Sequence, residues 1–414
     1  FIFSLFYLPF FLIKGKHKEG FLSRFGVVPE EIKKKLLTKN VVWIHAVSVG
    51  EMTEALRLAD ILRPGVKNVC FVLTTTTTTG MEIAKKFKKI EEVVLYFPVD
   101  FRASINSFLR GICPKAVIIL ETELWPNLLA ALAERKIPAF IMNGRISDRA
   151  FPKYKCLKFL LKPLLNRLTW VGAQDDLMKS RFLELGLEPA RIAVTGNIKY
   201  DWEPSRRGAE AVEWVEKKIK IPGSFLLIAG STHSGEEIIF FDLFKRLKKD
   251  FPFFKLLVAP RHLNRLESID AEAKKIGVRL HKVSLRDLPS AEESVFLLDQ
   301  MGILSQMYRI ADCVFVGGSL VSCGGHNLIE PAYFEKPILF GGSMENFKEM
   351  ASEFKKAGAA IELKDARGLE VEIRKLIVNE KSRKSMGLAA KSLVERHRGA
   401  AKKNGEVFLN YVHL

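Results

Sequence analysis

Short apolar runs alternate along the chain with stretches whose apolar residues recur at helical spacing. In the first half these runs predict strands at Val41–Val47, Val69–Leu73, Val93–Phe97, Ala116–Leu120, Ala139–Met142, Trp170–Ala173 and Ile192–Thr195. Helical patterns separate them, among them Leu128–Arg135 and Leu177–Leu185. Strands and helices taking turns in this way build a parallel, doubly wound α/β sheet. From Asp201 to Ile221 the chain turns polar and loses its strand pattern, which places a domain boundary there. A second series then predicts strands at Phe225–Ala229, Leu256–Val258, Arg279–Lys282, Val295–Leu298, Val314–Val316, Ile338–Phe340 and Ala360–Leu363. A final helical run, Ser382 to Val412, is long enough to cross back toward the first domain. Two such domains on one linker are expected to present their strand ends to each other across a cleft, which suits an enzyme joining two substrates.

Phe1 to Ile13 breaks this rhythm, because it is almost continuously apolar and is followed by Lys14, Lys16 and Lys18. It is shorter than the roughly 20 residues that span a bilayer. It reads as the end of a membrane anchor with its basic flank on the cytoplasmic side, or as an apolar helix lying in the membrane plane or on the protein. The charges follow the apolar run and no small-residue cleavage site succeeds it, which argues against a signal peptide. The 414 residues suffice for two domains, and 48% hydrophobic with 27% charged residues is a folded composition. Lys plus Arg number 65 against 47 Asp plus Glu, a net charge of +18. That excess points to a nucleic acid, an anionic membrane or phosphorylated substrates without choosing among them, and a solvated basic surface is the plain alternative. Cys70, Cys113, Cys156, Cys313 and Cys323 are odd in number and lack metal-ligand spacing, as expected of reduced thiols.

Candidate chemistry sits where predicted strands end. Trp43 to Glu51, WIHAVSVGE, runs from an apolar strand into a helix whose apolar positions begin at Met52. Ligands of open α/β sheets bind at such carboxyl ends. Glu51 there is either a carboxylate complementing its helix dipole or a general base for a hydroxyl. A helix start lowers a carboxylate's pKa, so a basic role calls for desolvation. Thr74 to Thr79 offers hydroxyls for helix capping or a ligand. Glu121 and Glu123 are paired carboxylates at another strand end, Asn143-Gly144-Arg145 ends the next, and Lys199 near a carboxylate can stabilise negative charge. In the second half, Gly230 to Glu236, Pro260-Arg261-His262 and Gly317-Gly318-Ser319 through Gly324-Gly325-His326-Asn327-Leu328-Ile329-Glu330 follow successive strands. Glycines permit close backbone approach to a phosphate, Arg261 can clamp an anion, and Asn327 and Glu330 fall one turn apart on a helix, with the carboxylate suited to a ribose. Tight packing and helix capping are the plain alternatives. G-x-G-x-x-G, Walker, H-E-x-x-H and G-x-S-x-G motifs are absent, as is an Asp-x-Asp pair, so a metal-independent transfer is the simpler expectation.

Taken in order, Arg24-Phe25-Gly26, WIHAVSVGE, TTTTTTG, ETELWPN, NGRIS, TGNIKYD, STHSGEE, PRH and GGHNLIEPA resemble the 3-deoxy-D-manno-octulosonic acid (Kdo) transferases of lipopolysaccharide synthesis, over nearly the whole chain. The resemblance implies a GT-B glycosyltransferase with two Rossmann-like domains. Its expected divisions are an anchor and basic flank at 1–20, an acceptor-binding domain at 21–203, a CMP-Kdo-binding domain at 204–395 and a returning helix at 396–414. It also implies inverting, metal-free transfer of Kdo from CMP-Kdo to a lipid A precursor, lipid IVA, at the cytoplasmic face of the inner membrane, with no cofactor and no nucleic acid partner. By position, Glu51 resembles the general base, and Glu121 and Lys199 the transition-state stabilisers. Pro260, Arg261, Met301, Gly302, Ile303, Asn327, Leu328, Ile329 and Glu330 resemble the CMP-binding positions. Met301-Gly302-Ile303-Leu304 departs from the family's Met-Gly-Glu-Leu, so backbone contacts there can survive and a carboxylate contact cannot. The rivals are a GT-B nucleotide-sugar 2-epimerase and a non-catalytic basic scaffold on a membrane or RNA.

Overall fold

The computed structural model describes residues 20–204, 208–220, 222–285 and 294–412. The apolar segment at the N-terminus, with the anchor expected of it, lies outside these. Among the described residues no helix is long and apolar enough to cross a membrane. The described residues form two compact units, one of those from 20 to 201 with 397–412 and one of those between 202 and 396.

The first unit holds seven strands: β1 (Asn40–His45), β2 (Val69–Thr75), β3 (Val93–Tyr96), β4 (Ala116–Leu120), β5 (Ala139–Gly144), β6 (Trp170–Ala173) and β7 (Ile192–Val194). They lie in the order β3-β2-β1-β4-β5-β6-β7, every pair parallel. Strands covered on both faces carry continuous apolar runs, and β4 (AVIIL) is buried throughout. Trp43, Val72, Val117 and Phe108 serve one layer of core, and Val42, Phe71, Ile118 and Met52 the other. The second unit repeats the scheme with β8 (Phe225–Thr232), β9 (Phe254–Pro260), β10 (Arg279–Lys282), β11 (Ser294–Leu297), β12 (Cys313–Val316), β13 (Ile338–Gly341) and β14 (Ala360–Leu363), ordered β10-β11-β9-β8-β12-β13-β14. In both sheets the chain reverses direction beside its first strand, between β1 and β4 and between β8 and β12. At such switch points the loops part and leave a crevice for a ligand.

Two details differ from expectation. The polar stretch after Asp201 contains a helix, Ala209–Lys218, where only the loss of strands was foreseen. The final helical run is two helices, Glu380–His397 and Ala400–Tyr411, parted at Gly399, whose φ of 91° no helix interior adopts. Asp201 fixes the second of these by accepting the N–H groups of Gly399 and Ala401, the latter at 2.5 Å. Phe408 then packs on Phe140 of β5, with ring centroids 5.2 Å apart.

Candidate active site

At the switch point of the first sheet, β1 gives way at Ser48 to the helix Val49–Leu62. Ser48 and Glu51 form a capping box: the Ser48 hydroxyl accepts the Glu51 N–H at 3.2 Å, and the Glu51 carboxylate accepts the Ser48 N–H at 3.3 Å. The other Glu51 oxygen accepts the Val47 N–H at 2.9 Å. Glu51 therefore does cap its helix. It is also only 9% exposed. Burial raises its pKa, with the charge of Glu121 adding to the rise, and this outweighs the lowering by the Val47 and Ser48 hydrogen bonds. The expected lowering at a helix start is thus reversed, because desolvation of the charged form exceeds what the N–H groups return.

Three more acids surround it. Glu121 follows β4 with a left-handed φ of 55°, and Asn143 near the end of β5 has a φ of 59°. Lys199, on the short turn Ile198–Asp201, donates to Glu121 Oε1 at 3.0 Å and lies 3.7 Å from Glu54 Oε1. Glu54, one turn beyond Glu51, accepts from Asn143 Nδ2 at 2.6 Å. Asn143 Oδ1 in turn accepts the Ile198 N–H at 3.0 Å, so one amide sets both the carboxyl group and the turn that carries the lysine. Burial pushes the Glu54 carboxyl up to about 7 despite the nearby Lys199. Burial, with the charges of Glu51 and Glu121, does the same to Glu123. Burial lowers the Lys199 ammonium, and the attraction of Glu54 and Glu121 more than reverses this, so its pKa lies above the ordinary value. Two of the four carboxyl groups pair with Lys199, and the mutual repulsion and burial of the four favour retention of a proton within the group.

At the switch point of the second sheet the chemistry is of opposite sign. Arg261 follows β9, and its charge holds down the pKa of Glu330, which burial pushes up to about 7. His233 after β8 and His326 stack with centroids 5.2 Å apart and share a hydrogen bond between their Nε2 atoms at 2.9 Å. One nitrogen donates and the other accepts, so at least one imidazole is neutral. Burial and the charge of Arg261 bring His326 down to about 4, and burial followed by His262 also lowers His233. The loops are braced by Glu236, fully buried, whose carboxylate accepts N–H groups of Gly318, Ser319, Leu320 and His233 at 2.7, 3.1, 3.0 and 2.9 Å. Glu236 thus takes up the N–H groups of Gly318 to Leu320, and that of Gly317 donates to the Gly230 carbonyl at 2.8 Å, which favours the packing alternative for the backbone of this pair. The glycines serve packing, since a Cβ on Gly317 would meet Ser231 O at 2.4 Å.

Of the positions singled out in the sequence, Glu51, Glu121 and Lys199 meet in one cluster, and Arg261, Asn327 and Glu330 in another. Asn327 does not share a helix with Glu330. The helix is Ile329–Tyr333, and Asn327 precedes it, accepting the Ile329 N–H at 3.0 Å. Pro260 ends β9, and Leu328 and Ile329 are buried at the helix start. Met301 and Gly302 follow β11 with Met301 66% exposed, whereas Ile303 is 6% exposed beside Gly208, whose Cβ would fall 2.2 Å from it. Among the described residues no hydrogen bond or ion pair joins this stretch to Arg261 or Glu330. Glu54 carries no local motif, and His233 and His326 lie in two quoted runs whose 93-residue separation hides their pairing. Glu54 is recognisable only by standing three positions from Glu51 on one helix face. Among the described residues no group of three or more His, Cys, Asp and Glu side chains is arranged to hold a metal ion.

A family profile described as 3-deoxy-D-manno-octulosonic-acid transferase (kdotransferase) matches residues 19–202. The 3-deoxy-D-manno-octulosonic acid transferase of Haemophilus influenzae is 34% identical over 360 residues, covering 87% of this chain and 84% of that protein. A bifunctional glycosyltransferase/methyltransferase of Fusobacterium nucleatum is 35% identical over 79% of this chain, which spans 51% of that longer protein. Among solved structures, the UDP-GlcNAc 2-epimerase from Neisseria meningitidis bound to UDP-GlcNAc aligns with a TM-score of 0.56 at 14% identity, covering 86% of this chain and 98% of that one. At that identity the likeness is one of fold, the two-domain GT-B type.

Proposed function

The chain belongs to the Kdo transferase family and is a glycosyltransferase; from that premise we propose that it moves Kdo from CMP-Kdo to a hydroxyl of a phosphorylated lipid A precursor, lipid IVA, with inversion and without a metal. The observation that carries this reading is Glu51, a carboxylate at the sheet switch point whose burial raises its pKa. A carboxylate so placed holds a proton more strongly than an ordinary one, which suits a group that must take a proton from a hydroxyl.

In the proposed step the acceptor oxygen attacks the anomeric carbon, and its proton passes to Glu51. The bond from that carbon to the CMP phosphate oxygen breaks, and its electron pair leaves on the phosphate. Lys199, held by Glu121 and Glu54, supplies positive charge in the same cluster as the developing negative charge. Arg261 supports the reading of the second unit as the CMP side, because a guanidinium pairs with a phosphate through two parallel hydrogen bonds. The neutral imidazoles beside it add donors without adding charge. Residues Pro260, Met301, Gly302, Ile303 and Asn327 to Glu330 complete the proposed nucleotide contacts, with Ile303 contributing backbone alone. The basic excess then has anionic donor, acceptor and membrane surface as partners, and the site of action is the cytoplasmic face of the inner membrane.

Incubation with CMP-Kdo and lipid IVA tests the proposal. It predicts CMP release that depends on the lipid and a product heavier by whole Kdo units. Absence of lipid-dependent CMP release would contradict it.

A further inference from the structure

The step proposed above uses His233 and His326 only as neutral donors, yet their geometry allows more. They come from different loops, after β8 and after β12, and each loop is tied down close to its histidine. The Glu236 carboxylate accepts the His233 N–H at 2.9 Å, and the Gly325 N–H donates to the Gly318 carbonyl at 2.9 Å. The two rings also rest on Gly318, where a Cβ would fall 3.3 Å from both Nε2 atoms. The backbone therefore sets the 2.9 Å contact between those atoms.

A hydrogen bond between two imidazoles has a fixed capacity for protons. In the neutral pair one ring donates and its partner accepts. With one proton added, an imidazolium donates to a neutral ring, which is the same contact strengthened by charge. A second proton would set two donors face to face and break it. The pair can thus take up one proton without moving, and its surroundings decide when. Arg261 and His262 oppose added charge at both rings, Arg265 opposes it at His233, and Glu237 favours it there. Glu237 is already held by Arg265 at 2.9 and 3.1 Å, and Glu236 by its four backbone N–H groups. Glu330, the remaining acid, faces Arg261. Burial and these cations keep the empty pair neutral. An anion beside Arg261 offsets that charge, and a dianion offsets it more than a monoanion.

We propose that the His233–His326 pair takes up one proton from solvent when a doubly charged phosphate monoester lies beside Arg261, and returns it when that group leaves. This rests on the reading of the second unit as the CMP side. The donor's phosphate is a diester with a single charge, whereas bond cleavage leaves a monoester whose second ionisation lies at about pH 6. The pair makes no bond to phosphorus; one N–H bond forms, and the proton comes from water or buffer. The site then tells product from donor by a proton that only the product recruits. Bound CMP raises the pair's proton affinity, so CMP affinity falls as pH rises. Below the empty value, about 4 for His326, both forms hold the proton. Between that value and the raised value of the complex, the fall approaches about tenfold per pH unit.

Calorimetric titration of the full chain near neutral pH, in two buffers of different ionisation enthalpy, counts the protons taken up per ligand bound. The expected result is uptake of roughly one proton with CMP and almost none with the methyl ester of CMP, a singly charged diester. His233→Gln combined with His326→Gln should abolish the uptake while CMP still binds through Arg261. CMP binding without uptake in the parent chain overturns the proposal and leaves the nucleotide site standing. Equal uptake with the diester overturns it as well, and that comparison needs only the parent chain, so it holds even where the double variant fails to fold. Uptake that survives the double substitution assigns the proton to Glu330, His262 or the ligand and overturns the proposal. A parent chain that does not bind CMP overturns both the proposal and the reading beneath it.

Discussion

The two sheets place opposite chemistry at the same topological position. Beside β1 and β4, the first unit gathers Glu51, Glu54, Glu121 and Glu123, with Lys199 pairing Glu121 and Glu54, and burial raises the affinity for protons of three of these acids. Beside β8 and β12, the second unit gathers Arg261 and imidazoles that burial keeps neutral, on loops tied down by the buried Glu236. In the proposed reading the first accepts a proton and the second holds an anion. Desolvation acts at both, with contrary results: it raises the pKa of acids in the first and lowers that of imidazoles in the second. The sheet supplies the crevice, and side chains alone decide its use.

The contrast can be broken from either side. Glu51→Gln keeps a side chain able to complete the capping box with Ser48 but removes the base. We expect kcat to fall by roughly 10²–10⁴ with CMP affinity intact, and near-normal turnover would take Glu51 out of the mechanism. Arg261→Ala should act in the other sense, weakening CMP binding about tenfold to a hundredfold, the range of a charged hydrogen-bonded contact, in titrations with CMP. A kcat loss with unchanged CMP affinity would place Arg261 outside the nucleotide site. Glu54→Gln is expected to be mildest, roughly threefold to tenfold in kcat, since it positions Lys199 and touches no reacting atom in this account.

Glu54 also has a signature in stability. Its folded pKa, about 7, lies above the ordinary value of 4.5. Below the ordinary value both folded and unfolded chains hold the proton. Between the two values the folded chain alone holds it, so stability falls as pH rises through this window. Urea denaturation across that range should show the fall in the parent chain and a shallower one in Glu54→Gln. Equal slopes would mean that Glu54 is not the retained proton.

The alternation of apolar runs with helical patterns made both sheets legible, because strands covered on both faces have no polar face to confuse the reading: β4 and β9 are near-continuous apolar segments. The strand-to-helix turn at Glu51 was legible because it is local, while its capping box with Ser48 was not foreseen. What escaped depends on distant partners. Glu54 looks like a solvent-facing helix residue until Asn143, 89 positions away, is set against it. The glycine pair at Gly317-Gly318 looks open to a phosphate until Glu236, some eighty positions earlier, takes the N–H groups of Gly318 and Ser319, while that of Gly317 goes to the Gly230 carbonyl. The pKa of Glu51 was misjudged for the same reason: the helix start is visible in sequence, and the burial that outweighs it is not.

The division between a proton-handling unit and an anion-holding unit is tested most directly by following single-turnover transfer and CMP binding in the parent chain over one pH series. In the proposed step deprotonated Glu51 is the active form, and its pKa is raised. Transfer should therefore rise with pH along a limb centred above the ordinary carboxylate value, and that limb should be absent from CMP binding. A transfer limb at the ordinary carboxylate value, or the same limb in both measurements, would contradict the account.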